Sequence, residues 1–81
     1  MQYFIYILYS VKIDKYYVGY TTDLDNRLSE HNRGKTSFSK SGMPWIRVYF
    51  ETFETKSEAL KREKYIKSQK SAKFIKALIA N

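Results

Sequence analysis

Cysteine is absent from this 81-residue chain, and histidine, tryptophan and proline each occur once. Without cysteine there is no disulfide framework, no cysteine-ligated zinc and no thiol nucleophile, so the fold rests on packing alone. With a single histidine, a metal site has to be built from carboxylate and water. Acidic residues are also scarce, eight against fifteen Lys+Arg, which leaves a formal charge of +7. Long apolar runs are missing too. The longest, Phe4 to Tyr9, falls far short of the roughly 18 residues a membrane span needs, and no basic segment with a small-residue cleavage site precedes it. The expectation is a cytoplasmic protein with no membrane contact.

What is present argues for a folded domain. Hydrophobic residues make up 43% and aromatics 17%, too many for a disordered basic tail, and the length predicts one domain over residues 1–81. Excess positive charge on such a domain predicts an anionic partner, nucleic acid before membrane. The charge is uneven: residues 1–54 hold seven basic and six acidic side chains, whereas residues 55–81 hold eight basic and two acidic. That C-terminal excess reads either as a solvated lysine face or as a surface for phosphate.

Tyr3–Tyr9 and Tyr16–Thr21 are rich in β-branched and aromatic residues, and the polar Ser10–Lys15 between them predicts a hairpin. Phe4, Tyr6 and Leu8 then share one face, and a turn centred at Val11 and Lys12 sets Tyr6 opposite Tyr17. Thr22-x-x-Asp25 predicts a cap for a helix over Asp23–Arg33, with Leu24 and Leu28 one turn apart and Gly34 ending it. Lys35–Pro44 reads as a flexible basic loop. Trp45–Phe53 alternates as a third strand, with Ile46, Val48 and Phe50 on one face and Arg47, Tyr49 and Glu51 on the other. Thr55-x-x-Glu58 is a capping box for a helix to about Ser68, and Ser71 caps a last helix with the stripe Phe74, Ile75, Leu78 and Ile79. The predicted class is α+β, a small antiparallel three-stranded sheet flanked by about three helices.

Three features resist a purely structural account. Glu63 falls in the middle of the stripe Ala59, Leu60, Ile66, a slot where an unpaired carboxylate is costly. It is either salt-bridged at the rim of the core or bound to a cation. Arg27 and His31 stack one turn apart beside the Leu24/Leu28 stripe. A guanidinium suits phosphate and an imidazole suits proton transfer near neutral pH, while Glu30 and Asp23 offer Arg27 ordinary salt-bridge partners. Eight tyrosines are mostly packing residues. Tyr6 and Tyr17 stand apart by their proximity, as a hydrogen-bonded pair or as a phenol with lowered pKa acting as base.

Together these positions resemble the GIY-YIG nuclease superfamily, in particular its small single-domain branch, similar to the N-terminal catalytic domain in the nuclease component of excinuclease ABC. The resemblance spans almost the whole chain. It is carried by Phe4-Ile5-Tyr6-Ile7-Leu8, Tyr17-Val18-Gly19, Asp23-Leu-x-x-Arg-Leu-x-x-His31, Asn32-x-Gly34, Ser41-Gly-x-Pro-Trp45 and Ser57-Glu-Ala-Leu-x-x-Glu63. Phe4 and Val18 depart from the signature glycine and isoleucine, and the second histidine of some relatives is missing.

The resemblance implies a metal-dependent endonuclease that hydrolyses DNA phosphodiester bonds, in DNA repair or recombination, with RNA as substrate left open. It implies Tyr6, Tyr17, Arg27, His31 and Glu63 as catalytic residues, with Glu63 the sole carboxylate ligand of one Mg²⁺ or Mn²⁺. Tyr6 would activate the attacking water, Tyr17 orient it, His31 relay the proton and Arg27 stabilise transition-state charge. Gly19, Arg33, Lys35, Lys40 and Lys67 are the expected nucleic-acid contacts, Gly19 by letting the phosphodiester approach the sheet. The alternatives are a non-catalytic nucleic-acid-binding module of the same fold and a basic protein-interaction module. Target choice is expected to come from a protein partner.

Overall fold

A computed structural model describes residues 1–80. The elements run β1 (Tyr3–Ser10), β2 (Lys15–Thr21), α1 (Leu24–His31), α2 (Ser37–Ser41), β3 (Trp45–Phe53), α3 (Lys56–Ser68) and α4 (Ala72–Ala80). The class is α+β as expected, with four helices among the described residues where about three were expected. The sheet is antiparallel in the order β2-β1-β3. Its central strand is covered on both faces, which is why Ile5, Tyr6, Ile7 and Leu8 are all buried. On one face Ile5, Ile7 and Val18 pack on Ala59 and Ile66 of α3, with Phe74, Ile75, Leu78 and Ile79 of α4 closing over them. On the other, Tyr6, Leu8 and Trp45 pack against Leu24 and Leu28 of α1 and against Met43.

The hairpin register differs from expectation by two residues. The turn closes later, with Asp14 in the left-handed conformation at φ 51°, and Ser10 pairs with Lys15, Leu8 with Tyr17 and Tyr6 with Gly19. Asp tolerates that conformation better than most residues, and its carboxylate accepts from the Tyr9 hydroxyl at 2.7 Å. A slip of two preserves the face of every side chain, so Tyr6 and Tyr17 remain neighbours, now diagonal, with ring centroids 6.2 Å apart.

The cap of α1 is Asp23, which accepts from the Asn26 amide at 3.1 Å, rather than Thr22. The helix is shorter than Asp23–Arg33. It gives way to turns that end at Gly34, where φ is +69°. Lys35–Pro44 is not an open loop: Thr36 caps α2 in a reciprocal arrangement with Ser39. In β3 a bulge leaves Val48 over between the pairs Ile7/Tyr49 and Leu8/Arg47. Val48 and Tyr49 therefore both pack toward α3, and Ile46 and Phe50 are left about half exposed. Leu60 also lies outside the stripe, 39% exposed.

Asn32, just past α1, reaches thirteen residues along the chain to clasp the start of β3. Its amide accepts from the Trp45 backbone N–H at 2.6 Å and donates to the Trp45 carbonyl at 3.1 Å. The Trp45 indole donates to the Ser39 carbonyl at 2.9 Å, and its ring fills the space a side chain at Gly42 would need. Asn32→Ala would orphan backbone groups at a buried residue. It is expected to lower stability by about 2 kcal/mol, read as a drop in the urea midpoint at unchanged m-value.

Candidate functional site

α1 is amphipathic for two purposes. Leu24 and Leu28 face the core, and the neighbouring face, one turn per step, carries Arg27 and His31 to the mouth of a cleft of about 370 Å³. Tyr17 of β2, Glu30 of α1, Lys35, Thr36, and Phe38 and Ser39 of α2 complete its lining. The His31 ring lies 4.5 Å from that of Tyr17 and 6.3 Å from that of Tyr6, centroid to centroid. Its Nδ1 is 3.3 Å from the Arg27 carbonyl. A carbonyl only accepts, so this contact puts the imidazole proton on Nδ1 and leaves Nε2 as a free lone pair. Burial pushes the His31 pKa below its ordinary value, and the Arg27 charge adds to this against the pull of the carbonyl contact.

Glu30 binds two cations at once, Arg27 through Nε at 3.2 Å and Lys35 through Nζ at 2.8 Å. The hydrogen bond from Lys35, aided by the charges of Lys35 and Arg27, holds its carboxyl below the usual range. The pairing of Arg27 with Glu30 is thus present, with Arg27 itself lining the cleft.

Tyr6 is 1% exposed, and its hydroxyl has no hydrogen-bond partner among the described residues. Burial, and next the neighbouring Tyr17, raise its pKa to about 12. Arg27 approaches closely enough to oppose this, though not in hydrogen-bonding geometry. The phenol is therefore neither lowered in pKa nor hydrogen-bonded to Tyr17. It lies across Gly19, and a Cβ built there would clash with the hydroxyl end of the ring, 2.9 Å from Cε1 and nearer still to the hydroxyl. The missing side chain of Gly19 thus admits Tyr6, and the room expected for a phosphodiester is taken.

Glu63 sits in the other layer. Its side chain is 18% exposed and bound to Lys67 one turn on at 3.0 Å, and its charge is still felt at the Tyr6 phenol. Lys67 lines a second recess of about 290 Å³ with Tyr16, Tyr17, Val18, Ile66 and Lys70. Among the described residues no three His, Asp or Glu side chains converge. A cation held by one carboxylate and several waters fits this donor set, and one demanding three protein ligands does not. Arg33 and Lys40 are exposed at the surface. Two cleft residues carry no mark in the sequence pattern: Phe38 on α2, and Glu30 in its double role. Thr36-x-x-Ser39 was the available signal for α2.

The profile of the GIY-YIG catalytic domain matches residues 2–76. The chain is 40% identical over 68 residues to UPF0213 protein SH2523 of Staphylococcus haemolyticus, covering 83% of this chain and 82% of the relative. It is 47% identical over 64 residues to a UPF0213 protein of Staphylococcus aureus, covering 74% and 78%. The solution NMR structure of UPF0213 protein BH0048 from Bacillus halodurans superposes with a TM-score of 0.63 at 31% identity, over 99% of this chain and 84% of that one. The expected fold and resemblance are borne out. No helix among the described residues is long and apolar enough to cross a membrane.

A buried hydroxyl without a partner carries a desolvation cost, so Tyr6→Phe is expected to raise stability by about 1–2 kcal/mol. Its pH dependence follows from linkage. The folded phenol titrates near 12 and the unfolded one near 10, so between these values the unfolded chain binds fewer protons and stability falls as pH rises. Tyr6→Phe should remove part of that alkaline fall in urea titrations between pH 9 and about 12. Gly19→Ala must displace the Tyr6 ring, and a loss of about 1–3 kcal/mol is expected in the same assay.

Proposed function

Since the chain belongs to the GIY-YIG catalytic-domain family, a nuclease-type family, we propose that it is a metal-dependent endonuclease hydrolysing DNA phosphodiester bonds. The observation that carries this reading is the cleft where Tyr17, Arg27 and His31 meet beside the unpartnered Tyr6 hydroxyl. We assign Tyr6, Tyr17, Arg27, His31 and Glu63 to catalysis, with Glu63 holding one Mg²⁺ or Mn²⁺ once Lys67 yields its place. The bound cation supplies positive charge against the phosphate and the leaving oxygen.

The remaining chemistry belongs to the side chains. Water attacks phosphorus and gives its proton to a base in the cleft, while the bond from phosphorus to the 3′ oxygen breaks and that oxygen leaves as an alkoxide that takes a proton from solvent. A phenol with a pKa near 12 stays protonated at pH 7, which suits Tyr6 to donate a hydrogen bond rather than take a proton. Neutral His31, with Nε2 free and Tyr17 against its ring, is the better acceptor. The outer nitrogens of Arg27 are suited to stabilise charge growing on the phosphate oxygens. Lys35, and at longer range Lys40, Arg33 and Lys67, supply cations for the flanking backbone. This role assigns the protein to the cytosol and to DNA repair or recombination. A protein partner would choose the target, because the catalytic groups address phosphate and not base edges.

The test is incubation of supercoiled and branched DNA with and without Mg²⁺ or Mn²⁺. Cleavage is expected with metal and is expected to stop on chelation. Glu63→Ala and Arg27→Ala should each lower it at least about a hundredfold. Undiminished cutting by Glu63→Ala would refute the assignment. Salt-sensitive binding with no cleavage of any substrate would favour the non-catalytic binder. Because protonated His31 cannot accept, and its pKa lies below 6.5, the acid limb of kcat/KM against pH should have its midpoint below 6.5.

A further inference from the structure

The cleft contains one residue that phosphate chemistry does not use. Phe38 is 46% exposed, although it stands within 5.5 Å of the buried Trp45 ring and 6.2 Å of Tyr17, centroid to centroid. A short exposed helix would ordinarily turn such a ring inward. Here α2 is fixed: its N-terminus is locked by the reciprocal Thr36/Ser39 bonds and its body is tied to the core through the bond from the Trp45 indole to the Ser39 carbonyl. The ring is therefore held at the cleft wall with much of its surface open. Arg27 and Lys35 line the same cleft and share a single carboxylate between them. The lining thus combines aromatic rings with a net positive charge, the two elements that recognise a base and its phosphate together. The volume, about 370 Å³, lies in the range of small-ligand pockets and is too confined for a paired helix.

We propose that Phe38 and Tyr17 form a nucleobase subsite, so that the strand enters the cleft with one unpaired base stacked on Phe38 and its phosphate turned toward Arg27. This rests on the hydrolytic role proposed above and narrows its substrate to DNA with an unpaired nucleotide beside the scissile bond. Duplex DNA would have to extrude a base and meet that unstacking cost.

Binding is measured by fluorescence anisotropy in EDTA, so that cutting cannot intervene, with a single-stranded oligonucleotide and its duplex over a salt series. Wild type should bind the single strand more tightly. Phe38→Leu keeps the apolar bulk and lacks the ring, and it should weaken single-strand binding about tenfold, the scale of one lost stack. It should leave duplex affinity and the salt slope unchanged, because stacking releases no counterions. Phe38→Tyr should bind within about twofold of wild type, and far-UV circular dichroism should show both variants folded. Equal affinity of wild type for the two forms, equal loss on both in Phe38→Leu, or no loss on the single strand would each overturn the subsite. Cleavage of circular single-stranded DNA with Mg²⁺ separates the two ideas. Binding effects as described without cutting sink the hydrolytic role alone, and cutting with a silent Phe38→Leu sinks the subsite alone.

Discussion

Trp45 opens β3 with both of its backbone polar groups held by one side chain, the Asn32 amide, and with its indole N–H held by the Ser39 carbonyl. These three bonds join the end of α1, the body of α2 and the start of an edge strand at one buried ring. Without them α1 is tethered to the sheet by Leu24 and Leu28, by His31 against Tyr17 and by the exposed Arg47–Asp25 pair, and α2, one turn and a half long, has too few internal bonds to persist alone. The cleft is the space between those two helices. Its width is thus set by a joint lying beneath it, and Gly42 is part of the joint because any side chain there would meet the indole.

The same face carries a stability conflict. β1 is the central strand of a three-stranded sheet covered on both sides, so every side chain in its middle is buried, and one of them is a tyrosine whose hydroxyl has no partner among the described residues. Phenylalanine would pack there at lower cost. A small domain has little stability to spare, and a glycine opposite, which also weakens a strand, is needed to seat the ring. Two unfavourable choices aligned across one strand pair are hard to attribute to packing. They are what is expected where the hydroxyl is kept for a substrate or water.

The strands and the two C-terminal helices were legible because their signals are local: alternation in Tyr3–Tyr9, the Thr55-x-x-Glu58 box, the stripe ending at Ile79. What was missed depends on geometry beyond the window. The hairpin register depends on Asp14 adopting a left-handed conformation, which composition does not dictate. The bulge at Val48 shifts the pairing of β3 with β1 between Ile7 and Leu8, and it breaks a pattern that alternates cleanly on paper. α2 is stabilised by Thr36, Ser39 and a distant indole, so Lys35–Pro44 carries no helical periodicity to detect. Among the site residues, helix spacing paired Arg27 with His31 and face parity paired Tyr6 with Tyr17, whereas only the family resemblance joined Tyr17 to Arg27 and His31 in one site. The Glu63–Lys67 pair, four residues apart on α3, is the rim salt bridge that the sequence offered as one reading, whereas the place of Phe38 in the cleft required the packing of whole elements.

The +7 charge acquires a spatial meaning from these layers. In the cleft, Glu30 offsets half of the charge that Arg27 and Lys35 bring. On α3, α4 and the turn between them, Lys56, Lys61, Lys64, Lys67, Lys70, Lys73 and Lys76 are all exposed. Only Arg62 among the basic residues there is engaged with the sheet, through Glu51. Tyr17, on the edge strand β2, borders both the cleft and the recess leading to Lys67 and Lys70. Exposed lysines act over about one Debye length, roughly 8 Å in physiological salt, and are easily screened, so they can gather a polyanion without orienting it. Arg27, half covered and fixed at Nε by Glu30, gives up range for direction. Attraction and alignment are thus carried by different layers of the sheet, and they meet at the tyrosine on its edge.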